Sequence, residues 1–230
     1  MASEDLARLE ARLIRCRLCP RLVAHRERVA KERVARFRDW RYWGRPVPGF
    51  GDPAARVLIV GLAPAAHGGN RTGRIFTGDE SGNWLFAGLH AAGFANQPTS
   101  VRRDDGLVLR DAWVTAAARC APPANRPTPA ERDRCLPWST RELELLPRAR
   151  VVLCLGAFAW DAALRLAAAL GDALPPRTGA RPRFGHGAEL RGARYVLLGC
   201  YHPSQQNTFT GRLTRRMLDA IFTRARELAQ

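Results

Sequence analysis

Four short apolar runs recur along the chain, separated by longer stretches in which apolar residues return every three or four positions. The runs occupy residues 56–60, 112–117, 151–156 and 195–200. Apolar runs of this length that alternate with helical segments are typical of strands buried on both faces of a parallel sheet. The pattern therefore predicts an α/β fold, a three-layer α/β/α sandwich with a four-stranded parallel sheet.

Helical periodicity accounts for most of the remaining sequence. Leu6, Leu9 and Leu13 line one side of a helix over residues 3–15, and Thr128 with Pro129 supplies an N-cap and a first-turn proline. The other predicted helices cover residues 21–38, 80–92, 129–146, 157–170 and 211–230, whereas residues 171–193 are predicted to form a loop. We predict a single domain over residues 1–230, in which residues 1–50 are a helical, cysteine-bearing extension.

A long glycine loop, residues 61–79 (GLAPAAHGGNRTGRIFTGD), follows the first apolar run directly. Loops of this length inside a compact domain are usually functional, and glycine lets the backbone approach a ligand closely. The loop has neither the dinucleotide fingerprint nor the Walker lysine, which excludes the common nucleotide sites. Loops after the second and fourth runs leave the same edge of the predicted sheet. Because ligands of parallel sheets bind at the carboxyl ends of the strands, we expect a site there.

The charge of the chain points to a polyanionic partner. Its formal net charge is +16, with a pI near 11.2. Lys31 is the only lysine, so GC-rich codon use explains arginine in place of lysine, but not the excess of base over acid. We therefore predict nucleic-acid binding. The sequence contains no run of about 18 apolar residues, so no membrane-spanning helix is predicted. The N-terminus begins acidic and lacks an apolar signal core, so we predict an intracellular, cytoplasmic protein.

Four of the six cysteines form a set with the spacing of a metal centre. Cys16 and Cys19 stand three positions apart, and Cys120 and Cys135 follow in the middle of the chain. Cys154 and Cys200 lie inside apolar runs, where cysteine behaves as a small buried hydrophobe. The four thiolates suit either a [4Fe–4S] cluster or a tetrahedral zinc, although the wide second spacing is atypical of a zinc knuckle. We expect a structural centre that joins the N-terminal helices to the sheet.

Two motifs carry a family resemblance. Residues 61–68, 70–74 and 76–79 of the glycine loop resemble the first motif of the family 5 (B-type) uracil-DNA glycosylases. Residues 201–204, 206–207 and 210–214 (YHPS, QN, TGRLT) are similar to the second motif, and the four cysteines match the family's [4Fe–4S] ligands. The resemblance covers nearly the whole chain. It implies a parallel sheet between helices, a structural [4Fe–4S] cluster, and a monomer that excises uracil and related deaminated bases from double- and single-stranded DNA.

The resemblance also implies roles for single residues around the excised base. Phe76 would stack on the flipped base, and Gly61 and Ala63 would belong to the substrate pocket. Asn125 offers an amide donor and acceptor suited to the edge of a pyrimidine. His202 is the candidate donor to the departing base, and Asp79 the candidate for positioning water and facing the cationic sugar. In the alternative that both residues are purely structural, Asp79 would be only a helix N-cap and Phe76 only a core aromatic.

Other residues of the second motif would face the DNA duplex. Its loop would fill the gap that the flipped nucleotide leaves, through Ser204, Gln205, Gln206 and Asn207. Arg212, together with Arg215 and Arg216, would lie close to phosphates, which position a protein without reading sequence. The expected affinity for DNA therefore falls steeply as salt rises.

Departures from related patterns narrow the mechanism. Several related families carry an acid or amide where this chain has the apolar residues 62–65, so Asp79 inherits water activation by elimination. Ala116 stands where the A-type enzymes with the same cluster have asparagine, which disfavours the A-type. The motifs contain no lysine, so Schiff-base lyase chemistry is not expected and the enzyme should be monofunctional.

Two other functional classes remain open from the sequence. The chain could be a non-catalytic nucleic-acid-binding module with a structural zinc, or a redox protein that uses its cluster for electron transfer. The colour of the purified protein separates cluster from zinc, because an iron–sulfur cluster is brown and zinc is colourless. A redox carrier is normally smaller and acidic, which argues against the second alternative.

Overall fold

A six-stranded sheet forms the centre of the molecule in a computed structural model that describes residues 2–172 and 183–230. The strands, in chain order, are β1 (Phe50–Gly51), β2 (Val57–Gly61), β3 (Ala112–Ala116), β4 (Val151–Leu155), β5 (Glu189–Arg191) and β6 (Val196–Cys200). Their order across the sheet is β1-β3-β2-β4-β6-β5. The four central strands are parallel, as predicted, and register pairs such as Ile59 with Leu153 align them in the middle of the sheet.

The two edge strands were not predicted, and they make the sheet mixed. β1 pairs antiparallel with β3, and β5 pairs antiparallel with β6. Both are two or three residues long and only partly buried. Strands this short show no apolar periodicity, because their position depends on pairing with distant residues rather than on their own side chains.

Alternate residues of the central strands face two separate cores, which gives the three predicted layers. Val57 and Ile59 of β2 belong to one cluster, whereas Leu58 and Val60 belong to the other. The first cluster lies between the sheet and two helices, α4 (Glu80–Ala91) and α8 (Arg215–Leu228). The second lies on the opposite face, beneath α6 (Ala157–Ala169), with contributions from α1 (Ala2–Leu13).

Four other α-helices lie in the described ranges. They are α2 (Pro20–Glu32), α3 (Gly69–Thr72), α5 (Pro129–Glu144) and α7 (Gln205–Phe209). α5 begins with the predicted Thr128 cap, in which Glu131 completes a reciprocal capping box. The helix predicted over residues 21–38 ends earlier, because Arg33 adopts a φ of +58° and a 3₁₀ turn (Ala35–Phe37) follows. The short helices α3 and α7 were predicted as loops.

Part of the predicted loop over residues 171–193, namely residues 173–182, lies outside the described residues. Within residues 2–172 and 183–230, no helix combines the length and the apolar character needed to cross a membrane.

Candidate active site and cysteine centre

A cavity of about 500 Å³ opens at the carboxyl ends of the four parallel strands. Segments that follow β2, β3, β4 and β6 all contribute to its wall. The lining residues are Leu62, Ala63, Ala65, Phe76, Asp79, Ser81, Ala124, Asn125, Arg126, Leu155, Gly156, Ala157, Phe158, His202, Ser204 and Gln206. Both sequence motifs and the loop after β3 therefore meet in one place. Gly61 lies just beneath the wall, within β2.

Asp79 ends the glycine loop and caps the next helix. Its Oδ1 accepts a hydrogen bond from the Gly82 amide at 2.9 Å, so the N-cap of the purely structural alternative is present. Its Oδ2 lies against Gly68, where a Cβ would stand only 2.0 Å away. Burial raises the pKa of this carboxyl above its ordinary value, partly offset by hydrogen bonding to Gly82 and the charge of Arg71. The group is thus a cap and also a perturbed acid in the cavity wall.

His202 and Phe76 form an aromatic corner of the cavity. Their ring centroids lie 5.7 Å apart, with the planes tilted by 35°. Burial lowers the pKa of His202 from 6.5 to about 4, so its imidazole is neutral near neutral pH. Phe76 adopts a φ of +53°, a strained conformation for an aromatic residue. A Cβ on Gly61 would stand 2.6 Å from its ring, so only glycine fits beneath it.

Asn125 reaches the cavity from the loop after β3. It and Ala124 both have left-handed backbone, with φ of +54° and +52°. Asparagine tolerates this region, whereas alanine does so at a cost. The loop is exposed at Asn125, and the side chain lines the cavity mouth.

The glycine loop is held in shape by a buried arginine that the sequence did not single out. The guanidinium of Arg71 lies 3.8 Å from the ring centroid of Phe37 and 4.1 Å from that of Trp40. It donates to the carbonyl oxygens of His67 (2.6 Å) and Gly78 (2.9 Å). Phe37 and Trp40, which precede β1, thus hold the loop in place through Arg71 just before Asp79.

The second motif divides between the cavity and the surface. Ser204 and Gln206 line the cavity, and Gln205 and Gln206 are both exposed. Asn207 donates from Nδ2 to the His202 carbonyl oxygen at 2.9 Å, so it supports the histidine from behind. Arg212, near the end of the second motif, is exposed, and its guanidinium lies 4.8 Å from the Tyr201 ring centroid. Phe209, at the end of α7, is 75% exposed.

Sequence comparisons add the family. The profile of the Uracil DNA glycosylase superfamily matches residues 48–226. The chain belongs to this superfamily. A Type-5 uracil-DNA glycosylase of Mycobacterium tuberculosis is 55% identical over 227 residues, 98% of this chain and 82% of the relative. A Type-5 enzyme of Thermus thermophilus is 53% identical over 219 residues, 94% of this chain and 95% of the relative.

Similarity to Type-4 glycosylases is lower and covers less of the chain. A Type-4 uracil-DNA glycosylase of Archaeoglobus fulgidus is 35% identical over 114 residues, 49% of each chain. The resemblance to the B-type, family 5 glycosylases is therefore confirmed in preference to the A-type.

One part of this glycosylase cavity was absent from the sequence prediction. The end of β4 supplies Leu155, Gly156, Ala157 and Phe158. Gly156 has a φ of +96°, and a Cβ there would lie 3.4 Å from the Cβ of His202. The third apolar run ends at the same sheet edge as the other three, so strand polarity alone could have found this wall.

The four cysteines of the predicted set come from the segment before α2, its N-cap, the loop after β3 and α5. They lie near one another, and we call them the cysteine centre. Cys19, Cys120 and Cys135 are buried, and Cys16 is partly exposed. Burial, first of all, raises the pKa of the Cys19, Cys120 and Cys135 thiols, that of Cys120 to about 12, and the nearby Cys16 raises each further. Within the described ranges, all six cysteines are free thiols, and no three His, Cys, Asp or Glu side chains converge closely enough to bind a single metal ion.

A buried cation lies against this centre. Arg26 of α2 is 2% exposed, and its Nη1 donates to the Cys120 Sγ at 2.9 Å. Its Nη2 donates to the Cys16 carbonyl oxygen at 3.2 Å, and its Nε has no partner among the described residues. Glu27 lies 3.7 Å away, but this carboxylate is exposed and already binds Arg17. Neutral thiols alone would leave the guanidinium buried without a matching anion.

Proposed function

We propose that this chain is a monofunctional uracil-DNA glycosylase, which hydrolyses the N-glycosidic bond of uracil and related deaminated bases in DNA and leaves an abasic site. The observation that carries the proposal is the single cavity in which Phe76, Asp79, Asn125 and His202 meet. Relatives named Type-5 uracil-DNA glycosylases, 48–55% identical over nearly the whole chain, support the same activity. A cavity of about 500 Å³ is larger than one pyrimidine requires, which suits several deaminated bases.

The cavity takes the base only after it leaves the duplex. A flipped nucleotide costs a few kcal/mol of unstacking, which its pocket must offset. Phe76 stacks on the base, worth roughly 1–3 kcal/mol by analogy with other base–aromatic contacts. Its strained φ of +53° aims the ring at the cavity, and Gly61 makes the room. Asn125 bonds the polar edge of the base from the mouth of the cavity.

Cleavage then separates charge between sugar and base. Neutral His202 donates a hydrogen bond to an oxygen of the departing base and stabilises its developing negative charge. Asp79 faces the sugar, where its carboxylate stabilises developing positive charge and orients the attacking water. Residues 62–65 supply no polar side chain of their own to this task. The water's proton leaves through Asp79, and no lysine is available for a covalent sugar intermediate.

The surface beside the cavity suits a DNA backbone. The net charge of +16 favours a polyanion, and Arg212, Arg215 and Arg216 are exposed next to the second motif. Ser204 and Gln206 line the cavity, and the loop that they share with Gln205 and Asn207 faces the duplex in this proposal. Contacts of this kind position the enzyme on any sequence, so affinity depends strongly on salt.

Cys16, Cys19, Cys120 and Cys135 hold a [4Fe–4S] cluster in this proposal. The donor set has the right chemistry, and Arg26 supplies an independent argument, because its buried charge needs an anionic partner that four cysteinates and a cluster provide. When bound, the cluster serves as a structural centre that joins the N-terminal helices to the sheet. Each thiolate of such a cluster binds its own iron, whereas zinc would gather all four around one ion.

A single-turnover assay tests the activity. Duplexes and single strands carrying uracil, hypoxanthine or xanthine are incubated with excess protein, and the free base and alkali-labile sites are quantified. Release of base without strand cleavage supports a monofunctional glycosylase. Strand cleavage without alkali, trapped by borohydride, contradicts the monofunctional assignment. Tight, salt-sensitive binding without any base release favours the non-catalytic binding module.

A further inference from the structure

Arg26 touches both the cysteine centre and the glycine loop. Its guanidinium lies against Cys120 and Cys16, as described above. Its own backbone carbonyl oxygen accepts a hydrogen bond from Asn70 Nδ2 at 3.2 Å. Asn70 is fully buried within the glycine loop. One residue therefore stands between the two parts of the molecule that the sequence motifs define separately.

Asn70 lies at a point where the loop is tied down from several directions. Its amide donates to the Ala65 carbonyl oxygen at 3.0 Å, and its carbonyl oxygen accepts from the Gly44 amide at 3.1 Å. Two residues before it, Gly68 lies against the Asp79 carboxylate. A shift of α2 at Arg26 would therefore be transmitted to the segment that packs on Asp79.

We propose that Arg26 is the counter-cation of the cluster and the link through which the cysteine centre holds the glycine loop in place. The inference rests on the proposed cluster. The guanidinium compensates the negative charge of the four cysteinates, and it stays buried only while they are present. The backbone of the same residue fixes Asn70. In this way the cluster takes no chemical part in base removal, but it influences the position of Asp79.

The first half of the proposal predicts a change in reduction potential. A positive charge and a hydrogen bond to sulfur stabilise the form of the cluster that carries one more electron, which raises its potential. Arg26→Gln removes the charge, so the potential should become more negative than in the unmodified protein. Arg26→Lys keeps the charge but loses the fork of donors, so its potential should lie between the two. The measurement is an EPR-monitored redox titration, with iron and sulfide counted per chain.

The second half predicts a separate change in activity. Asn70→Ala removes the hydrogen bond that joins the glycine loop to the Arg26 carbonyl oxygen, but it leaves Arg26 and the cysteines unchanged. Its single-turnover rate should fall roughly 10- to 100-fold, the scale on which small displacements of reacting groups act. Its iron content and potential should stay unchanged. Asn96→Ala is the matched control, because it also removes an amide-to-carbonyl bond, from Nδ2 to Gly106 at 3.0 Å, in an exposed loop outside the cavity.

The outcomes separate the two proposals. Protein isolated under anaerobic conditions without iron would overturn the cluster and the inference together. Full iron with an unchanged potential in both Arg26 variants would overturn the counter-cation role, and leave the cluster in place. Arg26→Lys keeps this test open if Arg26→Gln does not fold. An Asn70→Ala variant as active as Asn96→Ala would overturn the link to the loop.

Discussion

At the cavity, Asp79 and His202 are partly buried and have no ion pair among the described residues, whereas at the cysteine centre the fully buried Arg26 guanidinium lies against a thiol. Burial raises the pKa of Asp79 and lowers that of His202, so in both cases it opposes the charged form. Each cavity group is therefore held ready for a charge that only the substrate brings. At the cysteine centre the charge is permanent, and its partner must be resident.

This difference teaches which residues serve chemistry and which serve structure. A strained or desolvated group costs stability and persists where function needs it, as does the φ of +53° at Phe76. A buried guanidinium with an anionic neighbour contributes stability only while that neighbour is present. Substitutions in the cavity should thus impair catalysis and spare folding, whereas substitutions of the cysteines should impair folding first and catalysis only through the position of the glycine loop.

The largest expected effect follows removal of a cysteine ligand. Cys120→Ala should abolish the bound iron and most of the soluble, folded protein, because one ligand is lost and Arg26 loses its anionic partner. Cys154→Ala is the matched control, since this thiol is fully buried in β4 outside the centre. It should keep all its iron and unfold only slightly earlier. Iron analysis and circular dichroism make the measurement. Equal iron in the two variants would contradict the assignment of the ligands.

The next effect concerns the cavity. His202→Ala and Asp79→Asn should each lower the single-turnover rate by roughly 10²–10⁴, the range for positioned donors and carboxylates. Neither should lose iron. Asp79→Asn should also raise the thermal stability near neutral pH, because it removes a buried carboxylate while an amide oxygen can still cap Gly82. His90→Ala, on the exposed side of α4, is the control and should keep the full rate. A normal rate in either cavity variant removes that residue from the mechanism.

A smaller effect should appear in the dependence of rate on pH. Asp79 acts ionised, so the rate should fall about tenfold per pH unit below its folded pKa, which lies above the ordinary 3.8. This acid limb should be missing in Asp79→Asn. The free energy of unfolding also depends on pH through His202, because the pKa of this histidine in the folded protein lies below its unfolded value of 6.5. Its contribution is complete above pH 6.5 and is lost as the pH falls through about 4. An acid limb that survives in Asp79→Asn would assign it to another group.

The sequence predicted the fold well, because the central strands carry their own signal. Runs such as residues 151–156 are apolar throughout, and a strand with both faces covered must be. β1 and β5 carry no such signal, since a pair such as Gly51 opposite Trp113 exists only once the sheet has formed. α7 was predicted as loop because its five residues, QQNTF, have no apolar periodicity.

The candidate site was predictable where chemistry-bearing residues stood in motifs, and their roles stay predictions. The structure brings Phe76, Asp79 and His202 into one cavity. The supporting roles of the arginines could not have been found from the sequence, although Arg71 lies within the first motif. Arg26 and Arg71 are two among many arginines in a very basic chain, and only tertiary packing buries them. The partner of Arg26 is the Cys120 thiol, and the partners of Arg71 are the rings of Phe37 and Trp40. All three lie far from their arginine in the sequence.

The smallest expected effect concerns the DNA surface, which neither region of the comparison contains. Arg212→Ala should weaken binding of uracil-containing duplex uniformly across sequences and make the slope of log affinity against log salt shallower by about one, because one phosphate contact is lost. Arg148→Ala is the control, since this exposed arginine precedes β4 and lies at the amino-terminal edge of the sheet, opposite the cavity. Fluorescence anisotropy between low and moderate salt measures both slopes. Equal slopes in the two variants would place the bound duplex elsewhere, and the cavity would then need another route to its base.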